Sequence, residues 1–308
     1  MLTPDRILLA SDFSASAEAA LLYAAALARQ SQASLCVMHV IDTRVAALPH
    51  WTDIFRATEV FAKLAAANMD ALQRLLTHPA LTGLTVETMV QHGNPWERIT
   101  DMAPYTDLVV MGTGRQDIAR RRSAGKTARQ VAHACTVPVL LVPPGAGQAS
   151  LPAVGAAHLP CQRILLALNL AQYAPQAIRC SQALTAACQA TMLVLQVIEP
   201  DKTATYPVDT SEGLHRNLDA LTVLLEKRLA EVVPDDPSGP PVERLVVVGQ
   251  PAEVIQQQIV SRGVDLAVLS THAYSTLKRF FTLSTVDAIL ETAPCPLLAI
   301  PLSHSIIG

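Results

Sequence analysis

Three polar segments in this chain each follow a short, buried-looking apolar run: SDFS at 11–14, HVID at 39–42 and MGTGRQDIARRRSAGKT at 111–127. In an open parallel sheet, ligands bind outside the carboxyl ends of the strands, so these are the segments where chemistry would be done. Asp12 stands just before a helical pattern, where its carboxylate could meet a ligand or cap the helix without touching one. Arg115, Arg120, Arg121, Arg122, Lys126 and Arg129 crowd positive charge around a second helix start. Such groups could grip phosphate oxygens, and they could equally form a solvated basic loop. The string AGKT suggests a phosphate-binding P-loop, but GxxxxGK[ST] would need glycine where Arg120 stands, so that motif is excluded. His39 has no Asp, Glu or Cys spaced with it as a triad or metal cluster and reads as structural. The chemistry on offer is anion binding rather than turnover.

The elements that must position these segments occur twice. RILLASDFSASAEAALLYAAALA from Arg6 matches RILLALNLAQYAPQAIRCSQALT from Arg163. SLCVMHVID matches TMLVLQVIE, and VQHGNPWERI matches VVVGQPAEVI. TDLVVMGT and VPVLLVP return as VDLAVLST and CPLLAIP. Short Val/Leu/Ile runs alternate with longer helical patterns, which implies βαβ crossovers and a mainly parallel sheet covered on both faces. In the first copy, strands are expected near 5–11, 34–41, 84–90, 107–112 and 138–142, with helices near 14–30, 54–77, 95–103 and 125–135. Asn94 can cap the third helix, with Pro95 at its first position and Glu97 reaching back. Residues 1–143 are expected to form the first domain and 161–308 the second, and 144–160, within the uncharged stretch PPGAGQASLPAVGAAHLP (143–160), reads as an extended linker.

On ILLASDFSASAEAAL, VMHVID, and a strand ending MGT that leads through a loop and a glycine to a helix and TVPVLLVP, each copy resembles the universal stress protein family. The resemblance implies two Rossmann-like, adenine nucleotide α-hydrolase-like domains, each with a five-stranded parallel sheet of order 3-2-1-4-5 and helices on both faces. It also implies ATP or another adenine nucleotide, with Mg or Mn if bound, held through a GxxG, nine residues, then GS or GT signature. Carried onto this chain, the family's adenosine-contacting acid falls on Asp12, its adenine-contacting backbone on Val40 and its first loop glycine on Gly112. The second glycine falls on Arg115, the third on Gly125, and the hydroxyl residue on Lys126 with Thr127 one place late. In the second copy Asn169 replaces the acid, and Ser270, Ala273 and Leu283 replace the glycines, leaving Ser284 and Thr285 as the matching hydroxyls. That copy is expected to bind no ATP. Family members often pair as dimers, which the tandem chain could imitate internally. A protein that keeps the fold as an interaction module without a nucleotide, and a slow ATPase, are the other readings.

Composition narrows the partners. The chain has 308 residues, half of them hydrophobic, enough for two buried cores. A net charge of -3 supplies no basic surplus for nucleic acid or an anionic membrane, so a small molecule or a protein is expected. Asp5, Arg6 and Asp12 interrupt the opening apolar stretch, which points to a cytoplasmic protein without a signal peptide. Cys36, Cys135, Cys161, Cys180, Cys188 and Cys295 form no CxxC pair and read as buried free thiols in a reducing compartment.

Overall fold

The structure is a computed structural model that describes residues 4–42, 66–114, 125–144, 151–170, 174–199, 218–271, 285–292 and 294–302. By contact these fall into two compact units, 4–144 with 151–159, and 160–302. In the first unit the order is β1 (Arg6–Ala10), α1 (Ala15–Ser31), β2 (Ser34–Asp42), α2 (66–76), β3 (Val86–Gly93), α3 (Pro95–Met102), β4 (Leu108–Gly112), α4 (Lys126–Ala134) and β5 (Val139–Val142). The second unit runs β6 (Arg163–Ala167), α5 (Pro175–Cys188), β7 (Thr191–Ile198), α6 (Leu218–Val232), β8 (Val242–Val248), α7 (Pro251–Arg262), β9 (Leu266–Thr271), α8 (Thr285–Thr292) and β10 (Leu297–Pro301).

Within the first unit all pairings are parallel, in the order 3-2-1-4-5, and the second unit repeats this as β8-β7-β6-β9-β10. Register repeats too: Ile7 lies opposite Leu35 and Leu108, as Ile164 lies opposite Met192 and Leu266. Because βαβ crossovers are right-handed and the order reverses at the first strand of each unit, α1 and α2 cover one face and α3 and α4 the other. Helices α5 and α6 are divided from α7 and α8 in the same way. The contacts agree, since α3 packs on α4 and α7 on α8.

The central strands are apolar because both faces are covered: Ile7, Leu8, Leu9, Val109 and Val110 are fully buried. Helix α1 is rich in alanine, a strong helix former whose small side chain lets the axis lie close to β1 and β4. A repeated polar clamp ties the amino ends together. Asp107 Oδ2 accepts the N–H groups of Asp5 and Arg6, both at 2.9 Å. Asp265 Oδ2 does the same for Gln162 at 2.7 Å and Arg163 at 3.0 Å.

Three expectations change. The third strand begins and ends later, at Val86–Gly93, because this half-exposed edge strand takes its limits from pairing with β2 rather than from an apolar pattern. Asn94 holds the N-cap position of α3 without a side-chain cap; its Nδ2 donates to Glu97 Oε1 at 2.9 Å instead. Within the stretch read as linker, 151–159 groups with the first unit, and Pro152 and Leu159 are buried. An uncharged segment with apolar residues gains by removing them from water. Of the second helix expected at 54–77, residues 54–65 lie outside the described residues.

Candidate functional site

The site begins where β1 leaves the sheet. The β1–β2 ladder ends at Ala10 opposite Met38, the Ser11 N–H adds one bond to the Met38 carbonyl at 2.9 Å, and β2 runs on to Asp42 beside β3. Strand β4 pairs on the other side of β1, so a crevice opens where the strand order reverses.

A tight turn shapes one wall. Asp12 Oδ1 accepts the Ser14 N–H at 3.0 Å, and Ser11 Oγ accepts the Phe13 N–H at 3.2 Å. Phe13 is thereby held at φ 60, in the left-handed region that costs a bulky residue of order 1–3 kcal/mol unless its surroundings impose it. They do so here: the Phe13 ring stacks on His39 with centroids 4.5 Å apart, and His39 Nδ1–H donates to the Ser11 carbonyl at 2.8 Å. His39 is buried and braces the turn. The helix cap is Ser14, whose Oγ accepts the Ala17 N–H at 3.3 Å. The capping alternative for Asp12 is therefore replaced by a turn-bracing role, because α1 starts at Ala15, too far along for Asp12 to reach its first N–H groups. Asp12 itself is exposed at the rim.

The opposite wall is the end of β4 and the start of α4. Gly112 has no room for a side chain: a β-carbon would lie 2.6 Å from Ser16 Oγ and 2.8 Å from the Ala17 nitrogen. Gly114 and Gly125 have φ of +70 and +89, conformations that glycine adopts without a Cβ penalty. The Gly114 N–H donates to Ser16 Oγ at 3.1 Å, and Gly125 is the N-cap of α4. An open helix N-terminus of this kind favours an anion.

A cavity of about 290 Å³ lies between these walls, at the small end of the range for small-ligand sites. Among the residues singled out by sequence, Asp12, Val40, Gly112, Gly125 and Thr127 line it together. Lys126 is exposed and outside the lining, whereas Thr127, the next residue of the first turn, lies in it. Arg115, Arg120, Arg121 and Arg122 lie outside the described residues. Sequence reasoning missed Asp42, Thr113 and Gly114. Gly114 stands one place before the position where the signature wanted its second glycine, so a one-residue slip in the spacing would have found it. Thr113 is buried with its Oγ1 unpartnered at the cavity wall. Met38, Met111 and Ile99 make the apolar part.

At the matching positions of the second unit, Asn169 is exposed and Ser270 occupies the place of Gly112. Gln196 takes the place of His39, with Oε1 accepting the Leu170 N–H at 2.8 Å and Nε2 donating to the Val197 carbonyl at 2.7 Å. Helix α5 starts at Pro175, opposite Glu18 rather than Ala15 in the repeat. Ala273, Leu283 and Ser284 lie outside the described residues.

Fold and cleft together define a tandem pair of doubly wound α/β domains with a ligand-sized cavity at the strand-order reversal of the first. The model of the universal stress protein family matches twice, at residues 4–143 and 160–301, and the chain belongs to that family. A universal stress protein of Thermus aquaticus, from the QAH/OAS sulfhydrylase 3′ region, is 30% identical over 138 residues, covering 44% of this chain and 96% of its own. The crystal structure of a universal stress protein from Archaeoglobus fulgidus matches 96% of this chain and 98% of its own with a TM-score of 0.65 at 15% identity. A Pseudomonas aeruginosa PAO1 protein of unknown function matches 96% and 92% with a TM-score of 0.59, also at 15% identity. These last two are likenesses of fold. Among the described residues, no helix is long and apolar enough to cross a membrane.

Proposed function

We propose that this chain is a stress-response regulatory protein that binds ATP or another adenine nucleotide in the cavity of its first unit and acts by binding rather than turnover. The observation that carries the reading is the pair of left-handed glycines, Gly114 and Gly125, at the N-terminus of α4, sharing one cavity with Asp12 and Val40. Their backbones leave room for phosphate oxygens, and a Cβ at Gly114 would meet only the Gly125 nitrogen, at 4.0 Å. The Asp12 carboxylate would accept from a ribose hydroxyl, the Thr127 hydroxyl would donate to a phosphate, and the apolar wall would take the base. A divalent ion such as Mg or Mn would neutralise the triphosphate. The second unit, with Asn169 and Ser270 in place of Asp12 and Gly112, is read as a partner without a nucleotide. The two copies then stand in for the dimer of single-domain relatives, and native mass spectrometry will show whether the chain pairs further.

Titration calorimetry of the full chain with ATP and magnesium tests this. Saturable binding is expected, weakened about tenfold by Asp12→Asn, which keeps an Oδ1 acceptor for the Ser14 N–H while removing the charge. Absence of heat and of thermal stabilisation at millimolar ATP would remove the nucleotide from the proposal. Phosphate release is expected to stay at background with magnesium or manganese.

A further inference from the structure

The second unit carries a chemistry that its copy in the first unit lacks, at the amino edge of the sheet. Cys161 stands just before β6, and Cys188 is the last residue of α5, which runs back to that same edge. The register brings them together: Arg163 pairs with Thr191, and the Thr191 N–H donates to the Gln162 carbonyl at 2.8 Å. The two side chains are neighbours at this edge, near enough for a thiol–thiol hydrogen bond to act on the ionisation of both. Cys161 is buried, whereas Cys188 is partly exposed and so open to a small reagent. In the repeat, Pro4 and Ser31 occupy these places in the first unit, and the Ser31 hydroxyl donates to the Leu27 carbonyl.

The thiol–thiol hydrogen bond is the largest influence on both groups, lowering Cys188 and raising Cys161, with burial pushing Cys161 further up. Asp265, whose Oδ2 accepts the Gln162 and Arg163 N–H groups, opposes a thiolate at either sulfur. Cys295 also lies near Cys161 but is buried, and burial pushes its thiol up to about 12.

The geometry points to Cys161 and Cys188 as a peroxide-sensing dithiol, in which Cys188 is the attacking thiol and Cys161 the resolving one. Cys188 thiolate attacks one oxygen of a hydroperoxide, the O–O bond breaks, and the other oxygen leaves as alcohol, or water, after taking a proton. Sulfur is oxidised by two electrons to a sulfenic acid. The Cys161 sulfur then attacks the sulfenic sulfur, forming the S–S bond and expelling hydroxide, which leaves as water with the Cys161 proton. Overall, two thiols and one hydroperoxide give a disulfide, an alcohol or water, and one further water. Both cysteines sit at element ends, next to the left-handed Gln189 and to the chain entering β6, where small backbone shifts can bring the sulfurs to bonding distance.

The test uses the full chain, reduced, freed of reductant and exposed to hydrogen peroxide at one to about ten equivalents. The expected result is the loss of two free thiols and of about 2 Da, a Cys161–Cys188-linked peptide in a non-reducing map, and reversal by dithiothreitol. Cys161→Ala should leave a Cys188 sulfenic acid that dimedone traps, and Cys188→Ser should leave Cys161 unreacted. Linkage through Cys295 or between chains, or oxidation of Cys188 no faster than of the buried Cys36, would overturn the assignment. The wild-type peptide map decides the matter even if a variant folds poorly.

Discussion

A β-carbon on Gly112 would lie 2.6 Å from both the Oγ and the carbonyl carbon of Ser16. The glycine that ends β4 is thus explained by packing against α1 before any ligand is considered. Gly114, two residues on, serves the loop by its left-handed conformation and has open space around it. These roles separate in mutants. Gly112→Ala is expected to cost about 1–3 kcal/mol, because backbone rather than a flexible side chain must move. Gly114→Ala should cost about 1 kcal/mol from its φ alone and should weaken nucleotide binding more than it weakens the fold. Urea unfolding and calorimetry on the same samples compare the two.

The Asp12–Ser14 turn makes a second separation. Ser14→Ala removes the cap of α1 and the bond to Ser16 Oγ, and should cost about 1 kcal/mol. Asp12→Asn should leave stability within about 0.5 kcal/mol of wild type, since the Ser14 N–H keeps an acceptor. Thermal unfolding without ligand reads both.

His39 braces rather than reacts. His39→Ala removes the stacking on Phe13 and leaves the Ser11 carbonyl without its donor, for an expected loss of about 1–3 kcal/mol. His39→Gln should recover part of that loss, because Gln196 fills the equivalent place in the second unit with hydrogen bonds from both ends of its amide. Denaturant midpoints for the three proteins rank them.

Two buried thiols give the fold an alkaline limit. Burial raises Cys135 from 9.0 to about 11 and Cys295 from 9.0 to about 12. An unfolded thiol therefore ionises first as pH rises. The stability these groups contribute is complete below pH 9 and is lost as pH climbs through about 11 and about 12. Unfolding midpoints measured between pH 8 and about 10.5 should fall less steeply for Cys135→Ala than for wild type, and native Cys135 should resist iodoacetamide across that range.

The duplication and the α/β class were legible because they are local and periodic. RILLA followed by a helical pattern recurs at Arg6 and Arg163, and strands buried on both faces leave unbroken apolar runs in the sequence. Limits were clear at β2 and β5 and blurred at β3, where half-exposed positions carry little pattern. Within the candidate site, Asp12, Val40, Gly112, Gly125 and Thr127 could be named from their motifs, whereas Asp42, Thr113 and Gly114 could not.

By itself the sequence determined the two copies, their parallel strands and the loops from which a binding site would be drawn, since hydrophobic periodicity and turn chemistry act between near neighbours. Only the tertiary structure decided what each residue does there. Ser16 meets Gly112, His39 meets Ser11 and Phe13, and Cys161 meets Cys188 across many intervening residues. Each role depends on a contact that exists only after the sheet has assembled. Asp12 braces a turn that leads into the helix Ser14 caps, and Gly114 lines the cavity, because steric room and hydrogen-bond reach are properties of packed elements.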